Sequence, residues 1–395
     1  MKYCVLIIDG ASGWPLPERS GKTCLELAHT PNMDRMAGES ILGLVRTVPE
    51  GMEPSSACAC MAVLGYDPKV YYRGRSAIEA RSMGIPIEDG EVVFRCNLVA
   101  IQDGKMWDYS AGHITTSEGH ALIAALEDRL GNDKIHFYPG VSYRHICKVK
   151  GAEDSLLATC TPPHDIPEKP IAEFLPHGPG SELLRELMLR SEDILREHPV
   201  NMERKSRGDI AATMIWLFWG SSQIPELPPF KELYGLDAIM TSGVDLLRGL
   251  AKMAGFDSLD ISGVTDGLDN DYVQQGDGAL ESLDKHDLVV IHIEAPDEAA
   301  HAGSIDDKIS AIELIDRYVV IKLLSHEKDA LRVLIMPDHP TPIAVQTHTP
   351  EPVPFMLWGP GFESNGAKRF TEVEAKNTSV FIEEGHTIMS RLTRA

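Results

Sequence analysis

The segment VVIHIEAPDEAAHAGS (residues 289–304) joins an apolar run to an acidic one. The run from Leu288 to Ile293 is typical of a buried strand, and in the acidic part Asp297 and His301 are four residues apart. If this part is the first turn of a helix, the carboxylate and the imidazole lie on one face. The pair then belongs either to a solvated helix surface or to a site for a borderline divalent metal such as Zn²⁺ or Mn²⁺.

Two other apolar runs end in the same kinds of side chain. YCVLII is followed by Asp9, LRVLIM is followed by Asp338 and His339, and His348 comes soon afterwards. Parallel strands place their carboxyl ends at one edge of a sheet, where ligands bind. Together with the first pair, these side chains predict two metals a few ångströms apart. Such a pair of ions clamps the attacking and leaving oxygens of a phosphoryl transfer.

A serine precedes a helical run of small residues. The sequence PSSACACMAVLG places Ser56 near a helix N-terminus, where backbone amides and the helix dipole favour an anion. Ser56 is therefore either the N-cap of this helix or a nucleophile whose phosphoserine product is stabilised by the same field.

Basic side chains further along the chain are candidates for binding an anionic substrate. Arg73 and Arg75 follow the serine closely and form either an anion clamp or ordinary surface arginines. His113 and the adjacent Arg144 and His145 are further candidate contacts. Taken one at a time, each of them fits a structural role better than a role in substrate binding.

The order of the predicted elements indicates an α/β fold with an insertion. At 395 residues the chain is too long for one ordinary core. Strand and helix alternate on both sides of a central segment, which predicts a doubly wound, mostly parallel sheet. The pattern of the central segment instead predicts a hairpin around Asp103-Gly104, followed by a helix, two strands and a helix. We expect a discontinuous catalytic domain, residues 1–90 and 206–395, and an inserted, smaller α+β domain, residues 91–205.

Composition excludes several classes of partner. A net charge of −22 argues against binding to nucleic acid or to an anionic membrane, both of which require basic surface. The seven cysteines include no Cys-x-x-Cys pair, which is typical of reduced thiols in the cytosol. The longest apolar stretch, AATMIWLFW, is too short to span a bilayer. We therefore expect a cytoplasmic protein that acts on a small molecule.

Taken together, these motifs form a recognisable series. The order Asp9, Ser56 before LGYDP, DEAAH, PDHPTP and HTPEPVPF resembles the archaeal-type cofactor-independent phosphoglycerate mutases of the alkaline phosphatase superfamily. Further family-like strings extend along nearly the whole chain: HTPNMD, VPEGM, FRCN, YRH, TPPHDI, YGL, VDLLRG and IELID.

The resemblance implies an alkaline-phosphatase-like fold and a role for each candidate residue. One metal would be held by Asp297, His301 and His348. The second would be held by Asp9, Asp338 and His339, with Ser56 as both nucleophile and ligand. The metals would be Mn²⁺ or Zn²⁺, with Mg²⁺ as a third option, and 2,3-bisphosphoglycerate would not be needed. The implied reaction of glycolysis interconverts 2- and 3-phosphoglycerate through a phosphoserine, while the inserted domain grips the substrate carboxylate and closes the site.

The chain departs from the family pattern at four positions. Mutases of this type usually carry Gly-Ser-Asp at the nucleophile and an asparagine four residues after the serine, whereas this chain has Ser55-Ser56-Ala57 and Cys60. His113 stands where the mutases tend to have arginine, and DYSAGHI and FYPGVSYRH are closer to a related branch proposed to be homoserine kinases. A kinase of the same fold, a metal-dependent phosphatase and a non-enzymatic metal-binding module therefore remain alternatives, and the sequence leaves the oligomeric state open.

Overall fold

The computed structural model describes residues 1–72, 74–223, 226–326 and 330–394. The chain divides into two compact units, Met1–Tyr72 with Glu226–Ala395 and Arg73–Pro225. Among the helices of the described ranges, none combines the length and the apolar character needed to cross a membrane.

The strands and helices are numbered in chain order. The strands are β1 (Lys2–Ile8), β2 (Ile41–Val45), β3 (Glu91–Gln102), β4 (Lys105–Asp108), β5 (Ile135–Tyr138), β6 (Arg144–Lys150), β7 (Met214–Ser221), β8 (Ala238–Thr241), β9 (Asp257–Ser258), β10 (Leu288–Ile293), β11 (Leu331–Met336), β12 (Val353–Trp358) and β13 (Phe381–Ile382). The helices are α1 (Cys24–Leu27), α2 (Pro31–Ala37), α3 (Ser56–Val63), α4 (Pro68–Tyr71), α5 (Arg75–Ser82), α6 (Thr116–Leu130), α7 (Glu182–Arg196), α8 (Pro199–Arg207), α9 (Phe230–Tyr234), α10 (Asp245–Met253), α11 (Tyr272–Ser282), α12 (Ala295–His301), α13 (Ile305–Ile315), α14 (Ile321–Ser325), α15 (Glu372–Asn377) and α16 (Ile388–Arg394), with a π-helical turn (Asp316–Val320) between α13 and α14.

The first unit contains a sheet in the order β13-β2-β12-β11-β1-β10-β8-β9. In its centre, β1 lies parallel to both β10 and β11. Only β12 runs against its described neighbours, since it is antiparallel to β11 and to β2. The predicted α/β fold with a mostly parallel sheet is confirmed.

The central strand β1 is covered on both faces, as its unbroken apolar sequence predicts. Every residue from Tyr3 to Ile8 is buried. Cys4, Leu6 and Ile8 point to one side and belong to a core that includes the buried face of α13. Full burial of each leucine or isoleucine contributes about 1.5–3 kcal/mol, so the strand ends at this sheet are held on a rigid support.

The second unit is an antiparallel sheet covered by helices, which confirms the predicted α+β character of the insertion. Its strands lie in the order β4-β3-β6-β5, and β7 also pairs with β3. The predicted hairpin turn joins β3 to β4 with positive φ angles at Asp103 (51°) and Gly104 (73°), as a two-residue type I′ turn requires. Side chains of α6 and α7 pack with those of β3 and β7 in one hydrophobic core.

The second unit, Arg73–Pro225, is longer at both ends than the expected insertion of residues 91–205. At its end, β7 pairs with β3 along most of its length, so the apolar segment AATMIWLFWG supplies a strand to this sheet. At its start, Ala77 and Ala80 of α5 pack with Val93 of β3. Strand pairing over more than one hundred residues leaves no local mark in a sequence, so the C-terminal end of this unit could not be predicted from the sequence.

Candidate active site

Three neighbouring strands of the first unit deliver acidic and imidazole side chains at their carboxyl ends. Asp9 directly follows β1, and Asp338 and His339 follow β11. After β10, the helix α12 begins at once, with Pro296 in its first turn, and carries Asp297. Because β1 lies between β10 and β11 in the sheet, these ends are adjacent in space.

Asp297, His301 and His348 form one cluster. Asp297 Oδ2 lies 3.0 Å from His301 Nε2 and 3.5 Å from His348 Nε2, and the two Nε2 atoms are 3.0 Å apart. His301 donates its other N–H to the backbone oxygen of Gln346 over 2.8 Å, which orients the ring and directs Nε2 to the cluster. Two imidazole nitrogens and a carboxylate oxygen are donors that suit Zn²⁺ or Mn²⁺.

The side chains of this cluster shift one another's pKa values so that Asp297 is negatively charged and His301 is positively charged. Burial raises the pKa of Asp297, but the imidazoles of His301 and His348 outweigh it and hold this pKa well below its usual range. Burial lowers the pKa of His301, and the Asp297 carboxylate more than compensates, raising it to about 9. Asp297 therefore stays an anion over the physiological pH range, ready to bind a cation.

Asp9, Asp338 and His339 form a second cluster, in which all three side chains are fully buried. His339 Nε2 lies 3.2 Å from Asp338 Oδ2 and 3.5 Å from Asp9 Oδ1. Burial and the nearby carboxylates of Asp338 and Asp297 raise the pKa of Asp9 well above its usual value. Among the described residues, Asp9 Oδ1 has no hydrogen-bond partner. A buried carboxylate oxygen without a donor, beside other carboxylates, is what a bound cation would satisfy.

Ser56 lies at this second cluster. Its Oγ is 3.2 Å from His339 Nε2, and the side chain is buried. The N-cap of α3 is Ser55, whose Oγ accepts a hydrogen bond from Cys58 N. The interpretation of Ser56 as an N-cap is therefore wrong, because the neighbouring serine already fills that position and leaves the Ser56 hydroxyl to face the acidic cluster.

His292 and Glu294 also face the second cluster, and the sequence did not single them out. His292 Nε2 donates to Asp9 Oδ2 over 2.7 Å, and its Nδ1 is hydrogen-bonded to Ser242 Oγ at 3.0 Å. Glu294 Oε2 lies 3.5 Å from His292 Nε2. His292 therefore fixes one oxygen of Asp9 and leaves the other to point at His339.

A buried lysine ties together the loops that carry the clusters. Lys308 donates to the backbone oxygens of Ser12 and Thr341, over 3.0 and 2.8 Å, and is fully buried. Thr341 in turn donates its hydroxyl proton to Asp297 Oδ1. Lys308 thus fixes the chain after β1 to the chain after β11. In the sequence it is one of several charged residues on an amphipathic helix and gives no sign of this role.

Cys60 occupies a further position beside the second cluster. Its Sγ donates to Asp338 Oδ2 over 3.4 Å. Burial and the carboxylates of Asp338 and Asp9 raise the pKa of the thiol well above its usual value, so it stays a neutral donor. The departure from the family pattern at this position therefore keeps a hydrogen-bond donor next to Asp338.

The basic residues predicted to bind substrate belong to the second unit, and Arg73 lies outside the described residues. His113 and Arg144 both contact Tyr143. The ring centroids of His113 and Tyr143 are 6.3 Å apart, and the Arg144 guanidinium is 5.5 Å from the Tyr143 ring. His145 is different, because it is only 1% exposed and accepts a hydrogen bond from Gly140 N. Burial lowers its pKa to about 3, so it is a neutral residue inside this unit.

Comparison with known proteins finds phosphoglycerate mutases among the relatives of this chain. The family model for 2,3-bisphosphoglycerate-independent phosphoglycerate mutase matches residues 37–201. The protein of that name from Methanothrix thermoacetophila is 46% identical, and the match covers 99% of each chain. Its counterpart from Methanosarcina barkeri is 43% identical over 100% of each chain.

Two solved structures are similar over the whole chain. The PH0037 protein from Pyrococcus horikoshii matches with a TM-score of 0.80 at 26% identity, covering 100% of this chain and 96% of the other. The cofactor-independent phosphoglycerate mutase from Thermoplasma acidophilum matches with a TM-score of 0.62 at 25% identity, covering 100% and 99%. With full-length relatives above 40% identity, the chain belongs to the 2,3-bisphosphoglycerate-independent phosphoglycerate mutase family.

Proposed function

We propose that this protein interconverts 2- and 3-phosphoglycerate without 2,3-bisphosphoglycerate, through a phosphoserine at Ser56. Its full-length relatives carry the name of this activity. The observation that carries the proposal is the position of Ser56. Its hydroxyl is not used to cap α3 and lies 3.2 Å from His339 Nε2, at the edge of a buried acidic cluster.

Two divalent cations fit the donor atoms present. One would be held by Asp297, His301 and His348, and the other by Asp9, Asp338, His339 and Ser56. The unpartnered oxygen of Asp9 and the mixed carboxylate and imidazole donors support this assignment. When bound, such ions neutralise the carboxylates and polarise the phosphoryl oxygens.

The transfer would take place in two balanced steps. Ser56 Oγ forms a bond to phosphorus as the bond from phosphorus to the substrate oxygen breaks, and the proton from the serine ends on the departing glycerate hydroxyl. The other hydroxyl of the same glycerate then forms a bond to phosphorus as the bond from Ser56 Oγ to phosphorus breaks, and the proton of this hydroxyl ends on Ser56 Oγ. The N-terminus of α3, where Ser56 is the first residue, favours the negative charge of the phosphoserine.

Basic residues of the second unit would recognise the carboxylate of the substrate. Arg75 and Arg144 carry guanidinium groups, which bind carboxylates through paired hydrogen bonds. We assign this unit, Arg73–Pro225, the role of a substrate-binding and lid domain that keeps water from the phosphoserine.

The experiment compares two adjacent serines. Ser56→Ala and Ser55→Ala are measured as Mn²⁺-loaded proteins in a coupled enolase assay with 3-phosphoglycerate and no ATP. We expect Ser56→Ala to lose turnover and keep its metal content, while Ser55→Ala keeps turnover and loses about 1 kcal/mol of stability with its cap. Turnover in Ser56→Ala would remove Ser56 as the nucleophile.

The same preparations distinguish the alternatives named from the sequence. ATP-dependent phosphorylation of homoserine, with no mutase activity, would identify a kinase. Release of inorganic phosphate from 3-phosphoglycerate as the main reaction would identify a phosphatase.

A further inference from the structure

A bulge interrupts the pairing of β7 with β3 in the second unit. Arg95 pairs with Phe218 and Val93 pairs with Ser221, so Trp219 and Gly220 together lie opposite one residue of β3. Such a two-against-one arrangement is a β-bulge, which bends the strand and redirects a side chain.

The backbone at the bulge is unusual. Trp219 has a φ of 52°, a left-handed conformation that bulky residues rarely adopt. A Cβ atom at Gly220 would lie 2.4 Å from Cε1 of Phe94, so the next position requires glycine. Backbone conformations of this kind persist where the surrounding structure imposes them, and they concentrate at binding sites.

The indole of Trp219 lies against the guanidinium of Arg75. The Arg75 Cζ atom is 4.5 Å from the ring centroid, within the range of a cation–π interaction. On its other side, Arg75 donates Nε–H to Glu79 Oε1 over 2.9 Å. One edge and one face of the guanidinium are therefore fixed.

Within the described part of the chain, the terminal nitrogens of Arg75 remain available. Among the described residues, no hydrogen bond to them is found, and the side chain is 17% exposed. Glu79 also forms an ion pair with Arg95, so one carboxylate faces two guanidinium groups and the group of three carries an excess positive charge. Burial raises the pKa of Glu79, but Arg95 and Arg75 together lower it below its usual value, so the carboxylate stays ionised.

We propose that Trp219 is a positioning residue, which the bulge turns onto Arg75 so that the terminal nitrogens of this arginine are held ready for the substrate carboxylate. This inference rests on the proposed function. A planar donor pair fixed at its face and its Nε edge loses little further freedom when it binds a planar carboxylate.

The test compares Trp219→Leu, Trp219→Phe and Trp219→Gly with wild type and with Trp107→Leu, a tryptophan of the same unit that is 47% exposed. We expect Trp219→Leu to raise KM for 3-phosphoglycerate by about 5- to 30-fold with kcat changed less than about twofold. Trp219→Phe, which keeps an aromatic face, should recover most of the affinity. Trp107→Leu should leave both constants unchanged.

Trp219→Gly separates binding from folding. Glycine relieves the positive φ, so this variant should be at least as resistant to heat as Trp219→Leu while its KM stays high. In an Arg75→Ala background, Trp219→Leu should add almost nothing to KM, because the residue it positions is gone. Additive effects, or a wild-type KM in Trp219→Leu, would overturn the inference.

Calorimetric titration of 3-phosphoglycerate separates this inference from the proposed function. Wild type that binds 3-phosphoglycerate but shows no turnover contradicts the proposed function, and the Trp219→Leu protein then tests the inference through its weaker binding. Equal binding by wild type and Trp219→Leu, or no binding by wild type, contradicts the inference.

Discussion

Ser56 Oγ and His339 Nε2 lie 3.2 Å apart, although their residues are separated by 283 positions in the chain. The serine begins α3 and the histidine lies just after the end of β11, so the contact depends on the packing of a helix N-terminus against the edge of the central sheet. This contact brings a buried hydroxyl to a cluster of carboxylates and imidazoles. The proposal that Ser56 is the nucleophile depends on it.

Removal of divalent metal should inactivate the protein and lower its stability. Without cations, burial and the nearby carboxylates of Asp338 and Asp297 raise the pKa of Asp9, because the charged form is then uncompensated. EDTA should abolish turnover, reduce the bound metal from two ions per chain to none, and lower the melting temperature. Mn²⁺ should restore all three. Elemental analysis and thermal melting provide readouts that do not depend on turnover, and activity that is indifferent to chelation would contradict the two-metal assignment.

His292 should control the affinity of the second metal. Its hydrogen bond to Asp9 Oδ2 orients this carboxylate, and loss of such a support typically costs about 10–100-fold in metal affinity. His292→Ala should therefore bind the second Mn²⁺ about 10–100-fold more weakly in a metal titration and bind the first with little change.

The matched control is His286→Ala. His286 Nε2 also contacts an aspartate, Asp257 Oδ2 at 2.9 Å, but this pair lies away from the acidic clusters. The His286→Ala protein should bind both metal ions with the affinity of wild type. Equal losses in the two variants would show that His292 acts through general stability.

The stability of the second unit should depend on pH through Glu118. This carboxylate accepts hydrogen bonds from Arg204 and Arg207, each 2.7 Å long, and caps α6 together with Thr115. Burial raises its pKa, but the hydrogen bonds from Arg207 and Thr115 and the charge of Arg204 lower it to about 2. Because the pKa in the folded state is below the usual value of 4.5, the stabilisation is present above pH 4.5 and is lost as the pH falls toward 2.

Glu118→Gln should therefore lower the free energy of unfolding by about 1–2 kcal/mol at neutral pH, and the difference from wild type should shrink as the pH falls below 4.5. Urea titrations at several pH values measure this. Glu186→Gln, which removes the partner of Arg190 on an exposed helix face, is the control and should have little effect at any pH. A constant difference down to pH 3 would exclude the ionised form of Glu118 as the source.

The main sheet and the residues at its strand ends could be predicted because their signals are local. An unbroken apolar run that stops at Asp9, and another that stops before Asp338, mark the ends of buried parallel strands. The spacing of Asp297 and His301 marks the first turns of a helix. Local sequence pattern was therefore sufficient to predict the fold class and most of the residues in the two clusters.

Other features depend on contacts that a sequence does not display. His292 lies within a strand that is buried on both faces, so no alternation distinguishes its position from that of an apolar neighbour. Lys308 looks like a solvated helix residue until the packing of α13 buries it. The pairing of β7 with β3 and the bulge at Trp219 arise from tertiary structure alone.

The measurement that tests the central claim most directly is mass spectrometry of the Mn²⁺-loaded protein, quenched in acid during turnover of 3-phosphoglycerate. The account predicts a phosphate on the peptide that contains Ser56, at a fraction of the protein that rises with substrate concentration, and none in Ser56→Ala. Full turnover with an unmodified Ser56 peptide, or with the phosphate on another residue, would contradict it.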